Sequence, residues 1–538
     1  MLKSLTIGSL FGILFLAGCG SSTFNENGSG ASSTNAGTAG EGSSAEGLEG
    51  GAISEVTFDG SNQAVINFTD VSSSARYVLA LYSYNASGSS DAYQLGNSKN
   101  LSARSLTVAD RFAVADHTED FHEWLRGEEQ GLNPVDAVRP TTSRMAKAPE
   151  VTDPGTTRKF KVLNSFGGAG SYETVNAVLI YKGTNFLAWV DQRNQNSYTS
   201  DEWDAMFKKF DEQIPSEQKL FGTESDVDAS GNFNVLFTQV VNQLGGSSGG
   251  IVTGFFYAVD LFKTYAQSNQ TEILYSFVAD PTGAFGTPIS KDFAKTNIHP
   301  SVLVHEYQHM INFNEHYFIN GGSPEMSFLN EGLSHLAEDL YSQDSSGYMT
   351  KTGPENPARV SGYLQSIDTL CIICGASLYQ RGGSYLLLRY LYEQAEKGNL
   401  AGAASGATFI DNLLDTADTG VTNIVSAVYG TGSSDNKFGE IMGQFGLAVF
   451  LSDTGLTTDS RFQIDGIGLR EAQDDNRGTV LDGPAINSAT DGVTNTIGGA
   501  SLSFVELTAD DINNLGGSVA VQLAGSNATG AYLIQTGL

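Results

Sequence analysis

Two histidines four residues apart, with a glutamate beside the first, constrain this chain more than any other feature: His305-Glu306-Tyr307-Gln308-His309. Residues at that spacing stack on one face of a helix, so both imidazoles can reach a single metal ion while Glu306 points toward water held at it. The surrounding residues predict a buried helix. Pro300 suits a first turn, and Val302, Leu303, Val304, Met310, Ile311 and Phe313 make the segment apolar around most of its circumference. Of the seven histidines in the chain, five (His299, His305, His309, His316 and His335) fall in this one short segment. A chance pair on a core helix would not gather the others.

A catalytic zinc ion takes three protein ligands and keeps one position open, so a third ligand is expected downstream. The spacing that supplies a third histidine on an extended motif is absent, because Asn312 and Glu315 stand three and six residues past His309. A second helix fits better. It follows the turn residues Gly321, Gly322, Ser323 and Pro324, and it carries Glu331 between Asn330 and Gly332. His335 and Glu338 share its face at four and seven positions further on. Either could orient an imidazole or carboxylate from behind, and His335 or His316 could itself be the ligand in place of Glu331.

His-Glu-x-x-His followed by Asn-Glu-Gly on a second helix resembles the gluzincin zinc peptidases, and the wording HEYQHMINF with FLNEGLSHLAED is similar to the hyicolysin-type family of metallopeptidases. The resemblance spans about residues 155–455. It implies an α+β, thermolysin-like catalytic domain with a mixed sheet and active-site helices. It also implies zinc on His305, His309 and Glu331, Glu306 as general base, and a protein or peptide substrate cut as by an endopeptidase. Tyr379-Gln380-Arg381-Gly382 is similar to a Tyr-x-Lys/Arg-Gly segment of gluzincin aminopeptidases, which implies an oxyanion-stabilising role for the Tyr379 hydroxyl. The plainer alternative is a tyrosine at a helix start that packs its ring.

The remainder of the chain bounds where such an enzyme works. At 538 residues it exceeds one hydrophobic core, and 60 acidic against 29 basic residues give a net charge of −31, which excludes a nucleic-acid partner. Lys3, the short apolar run 5–16 and Leu16-Ala17-Gly18-Cys19 read as a lipoprotein signal peptide ending at Cys19, too short to remain as a membrane span. Lipidation of Cys19 would tether the chain to a membrane. Gly20 and Ser21 follow without an aspartate, which favours the outer membrane or cell surface. Cys371 and Cys374 are then the remaining thiols, and in an exported protein they are expected to form a local disulfide.

The organisation follows from composition. Residues 20–50 read as a flexible tether rich in Gly, Ser and Ala. Alternating runs at 54–58, 64–68 and 76–84 predict an N-terminal β-sandwich module over 51–100. A helix over 105–132 and a linker complete 101–157, with His117 and His122 expected on the solvated face of that helix. The catalytic domain is expected over 158–455, opening with strands at 159–163, 174–181 and 185–191, a helix at 200–213, and strands at 234–238 and 272–279. A second β module is expected over 456–538. Asp226, Asp228, Ser230 and Asn232 alternate like the first half of a calcium loop, but Phe237 stands where its closing glutamate belongs, so an ion-free acidic turn fits equally. The reading is a lipid-anchored, extracytoplasmic zinc endopeptidase. Its rival is a catalytically idle surface adhesin or assembly lipoprotein on the same fold, for which an intact Glu306 would have no use.

Overall fold

The computed structural model describes residues 43–45, 52–97, 119–132, 153–168, 170–245, 250–341, 355–432, 434–470 and 480–537. The lipidation motif at Cys19, the tether apart from 43–45, His117 and most of the linker lie outside them. Mixed α and β structure is arranged around a six-stranded sheet and two five-stranded sheets.

The central sheet runs Gly254–Phe256, Ile273–Ser276, Phe233–Phe237, Phe186–Asp191, Ser171–Lys182 and Thr157–Ser165 across its width. Phe186–Asp191, Phe233–Phe237 and Ile273–Ser276 pair in parallel, and their residues are buried throughout, as strands covered on both faces must be. The helix Ser200–Phe221 covers one face. It starts on a capping box in which Thr199 and Glu202 satisfy each other's backbone donors, and it continues past Pro215. The strands match the expected ones to within about three residues, whereas the helix runs on to Phe221, beyond its expected end at 213. The edge strand Gly254–Phe256 was not among them, since three residues give no alternation to read.

The helix His299–Phe313 lies against that edge strand. Gly254 is required there: a Cβ at this position would sit 2.5 Å from Val302 Cγ1 and 3.4 Å from Glu306 Cγ. The helix Ser327–Tyr341 packs beside the first, and the helix Leu378–Glu396 packs on the second. Gly332 permits that contact, because a Cβ would meet Leu388 Cδ1 at 2.8 Å. Glycine inside a helix costs about 1 kcal/mol relative to alanine, so close approach is its reason for being here.

The two expected β modules are corrected to one. One five-stranded sheet orders Ser43–Ala45, Gln63–Phe68, Ser518–Ala524, Asp91–Gly96 and Thr494–Ile497; the other orders Ile486–Ser488, Leu502–Thr508, Arg76–Ser83, Thr529–Gly537 and Ile53–Glu55. N-terminal and C-terminal strands pair with one another within each sheet, and Ile66, Leu95 and Val521 share a core with Leu79, Val505 and Leu533 of the other. Side chains alternate across a strand, so Val78 and Ala80 on the opposite face join the main core instead. There the helix Phe438–Leu451 meets the sheet, with Gly443 against Tyr82 and Tyr532. Strands as far apart in the chain as Arg76 and Thr508 leave no local pattern that marks their pairing.

Candidate metal centre

His305 and His309 project from one face of the helix His299–Phe313, and their Nε2 atoms converge to 3.1 Å. Glu331, on the helix Ser327–Tyr341, faces both: Oε2 lies 3.4 Å from His305 Nε2 and Oε1 lies 3.6 Å from His309 Nε2. All three side chains are buried. The opposite ring nitrogens are held from behind. His305 Nδ1 meets Glu338 Oε1 at 2.8 Å, and His309 Nδ1 meets Asn330 Oδ1 at 2.8 Å. An imidazole that donates through Nδ1 turns its Nε2 lone pair outward. Two such lone pairs 3.1 Å apart, beside a carboxylate whose oxygens have no hydrogen-bond partner among the described residues, are an arrangement that a divalent cation satisfies.

The charges around the site agree with this fit. Burial opposes a proton on His305, yet the carboxylates of Glu331 and Glu338 on either side outweigh it and raise its pKa to about 9. A cation at Nε2 answers the same field. Burial alone would raise Glu331, but Arg381 and His309 hold it well below the usual carboxylate range. Burial pushes His309 down.

Glu306 lines the cleft beside this centre. Its Oε2 accepts the Phe256 N–H at 2.9 Å, which ties the motif helix to the edge strand. Burial raises its carboxyl to about 7, against the pull of His305. A group poised near neutral pH is suited to taking and returning a proton.

His335 approaches His305 from the other side. Its Nδ1 meets the same Glu338 Oε1 at 2.7 Å, so Glu338 bridges the two rings, and Ser301 donates to the second Glu338 oxygen. His305, His335 and Glu338 lie close enough to hold an ion among themselves, but through the Nδ1 side that faces away from His309. His316 stands apart, 3.7 Å from Glu325.

One expectation is overturned here. His122 does not lie on a solvated helix face: it is largely buried, lines the cleft, and places Nδ1 3.7 Å from Glu331 Oε1. Its helix, Glu119–Gln130, is bound to the edge strand region by Arg126, which donates to the Phe256 carbonyl at 2.7 Å, and by Glu129, which accepts the Ala258 N–H at 2.9 Å. Polar residues at 122, 126 and 129 repeat at helical spacing and could have marked this face. Arg381 is the other residue missed, with Nη1 3.4 Å from Glu331 Oε2. Tyr379, two positions earlier, is not brought to the centre. Its ring rests on Gly362 and stays 49% exposed, because the helix turn carries residue 381 inward and residue 379 outward.

Cys371 and Cys374 are disulfide-bonded ahead of this helix. In the acidic turn, Asp226 and Asp228 spend hydrogen bonds on the turn itself, accepting from the Gly231 and Ser230 N–H groups. Ser230 Oγ donates to the Asn232 carbonyl, and the Asn232 amide donates to the Thr184 carbonyl. The carboxylate that gathers with the two aspartates is Glu272, distant in sequence.

No family model matches the sequence. The chain is similar to the neutral metalloprotease ShpI of Staphylococcus hyicus, 26% identical over 352 residues, covering 59% of this chain and 72% of that protein. Likeness to a metalloprotease and a buried His305, His309, Glu331 cluster together support a metallopeptidase that works on a peptide or protein. Among the described residues no helix is long and apolar enough to cross a membrane.

Proposed function

We propose that the chain is a zinc endopeptidase of the gluzincin, hyicolysin-type kind, with His305, His309 and Glu331 as ligands and Glu306 as general base. The observation that carries this reading is the convergence of two Nε2 lone pairs on a hydrogen-bond-free carboxylate, with Glu306 on the same cleft. When bound, zinc polarises the scissile carbonyl and acidifies water. Glu306 accepts the proton from water and delivers it to the departing amine. Glu338 and Asn330 keep the two imidazoles in the tautomer that presents Nε2. His122 and Arg381 flank Glu331 and line the same cleft, where they can face negative charge that develops on the substrate. An oxyanion role for Tyr379 requires its ring to leave Gly362 and turn inward.

Glu306→Gln tests the reading. The variant should keep its metal and lose at least about 100-fold of its activity on a protein substrate, the scale of a positioned base. Chelator should abolish wild-type zymogram clearing. Near-normal turnover with metal bound would remove Glu306 from the mechanism, and an inactive wild type with bound zinc would favour the adhesin alternative. We also propose lipid anchoring through Cys19. Cys19→Ser should then release the protein from membranes, and unchanged membrane retention would count against the anchor.

A further inference from the structure

The cleft at the metal centre, with a volume of 470 Å³, is lined on one wall by Arg359 and Arg381. Two guanidinium groups in one cleft are unexpected for a chain of net charge −31. They are brought together by construction. Arg359 belongs to the helix Asn356–Gln365, which lies so close to Leu378–Glu396 that a Cβ on Gly382 would sit 2.3 Å from the Arg359 carbonyl, and one on Gly383 would sit 2.8 Å from Tyr363. Asn356 pins the start of that helix to the His335 carbonyl at 3.0 Å and to Asp339 at 2.8 Å.

The buried acids beside the two arginines are already engaged. Glu338 takes His305 and His335 on one oxygen and Ser301 on the other, and Glu331 faces the two metal-site imidazoles. Arg381 anchors Nε on the Ala376 carbonyl at 2.6 Å and places Nη1 3.4 Å from Glu331. Among the described residues the Arg359 side chain makes one long hydrogen bond, 3.4 Å from Nη1 to Asn356 Oδ1, and its buried Nε makes none. Among the described residues no carboxylate lies within ion-pair distance of Arg359; Glu355 lines the cleft but is exposed and forms no such pair. A planar donor fork that lines the cleft with no described carboxylate at ion-pair distance matches an incoming carboxylate.

We propose that Arg359 and Arg381 form a carboxylate-binding subsite, by which the chain selects peptides that carry an acidic group near the bond to be cut. This rests on the peptidase reading for its substrate. The carboxylate comes either from a Glu or Asp side chain or from a free C-terminus, and the two sources are separable.

Two peptide pairs of otherwise identical sequence test it on the full chain: Glu against Gln beside the central bond, both amidated, and free acid against amide at the C-terminus without an acidic side chain. Calorimetry on the metal-free protein reads binding, and kcat/KM on the zinc-loaded protein reads turnover. At least one pair should differ by about 10-fold or more in favour of the acid, as expected for a charge-assisted bond to a buried arginine. Arg359→Gln and Arg381→Gln should each bring that ratio toward unity, and Arg359→Lys should keep part of it. Discrimination in the first pair assigns a side chain, and in the second a terminus. Equal ratios in both wild-type pairs, or no binding of any of the four peptides, overturn the subsite. Discrimination in binding with no turnover of any peptide would instead sustain the subsite and sink the peptidase reading. The wild-type ratios decide the matter even if a variant fails to fold.

Discussion

Among the described residues two separate regions, one around His305 and one around Asp226, carry carboxylates at metal-like spacing, and they differ in where their lone pairs point. At His305, His309 and Glu331 the groups behind the site take up the outer ring nitrogens, leaving the inner atoms facing one another in a buried space. At Asp226, Asp228 and Glu272 the oxygens are engaged with the backbone around them, and Asp226 and Asp228 are open to water. Glu272 accepts from Ser225 Oγ at 2.5 Å and from the Val227 N–H at 2.8 Å. The lesson is that residue type and spacing nominate a site, and what lies behind each donor decides what it can do.

The largest effect expected within the first cluster separates ligand from support. Glu331→Ala leaves two imidazoles, so the purified variant should be zinc-depleted and inactive while its far-ultraviolet circular dichroism is retained. His335→Ala removes a ring that touches Glu338 and not the inner face, so zinc should remain stoichiometric with activity reduced about 10 to 100-fold, the range for groups that orient a ligand. Metal analysis of the two proteins checks it. Zinc lost from the second and kept by the first would move the centre to the His305, His335, Glu338 set.

A smaller effect should come from the upstream helix. His122 stands 3.7 Å from Glu331 and faces the cleft, so His122→Ala should lower kcat/KM by about 10-fold while zinc content is unchanged, as for a group acting through or beside a ligand. Unaltered kinetics would make the helix Glu119–Gln130 a structural brace held by Arg126 and Glu129 alone.

How much of this was legible depended on distance along the chain. The pair His305 and His309, with Glu306, is fixed by one helical turn, and the parallel strands of the central sheet announced themselves as short apolar runs. Glu331 was reachable because its helix follows directly. His122, Arg359 and Glu272 were not, since each is brought in by packing between separate elements, and the sheet pairing of residues 76–82 with 502–508 spans most of the chain. Tyr379 illustrates the converse. A local pattern pointed to it, and a two-residue step around the helix gave the inward place to Arg381.

The smallest effect concerns the second cluster and is read in stability. Burial raises Glu272 from 4.5 to about 7, with Ser225 and Val227 pulling the other way. Its folded pKa therefore lies above its unfolded one. Between about pH 4.5 and 7 the native protein keeps a proton that the unfolded chain has released, so the contribution of this group is full below 4.5 and is lost as pH rises through 7. Glu272→Gln keeps the shape and removes the titration. Relative to wild type, its Tm should gain between pH 5 and 8 by a few degrees, on the order of 1–2 kcal/mol. If the cluster holds calcium, added calcium should raise the wild-type Tm at pH 8 and leave the variant unmoved, because the ion would relieve the same buried charge. A wild-type Tm indifferent to calcium would leave Asp226 and Asp228 as turn formers, and the contrast between the two clusters would then be complete.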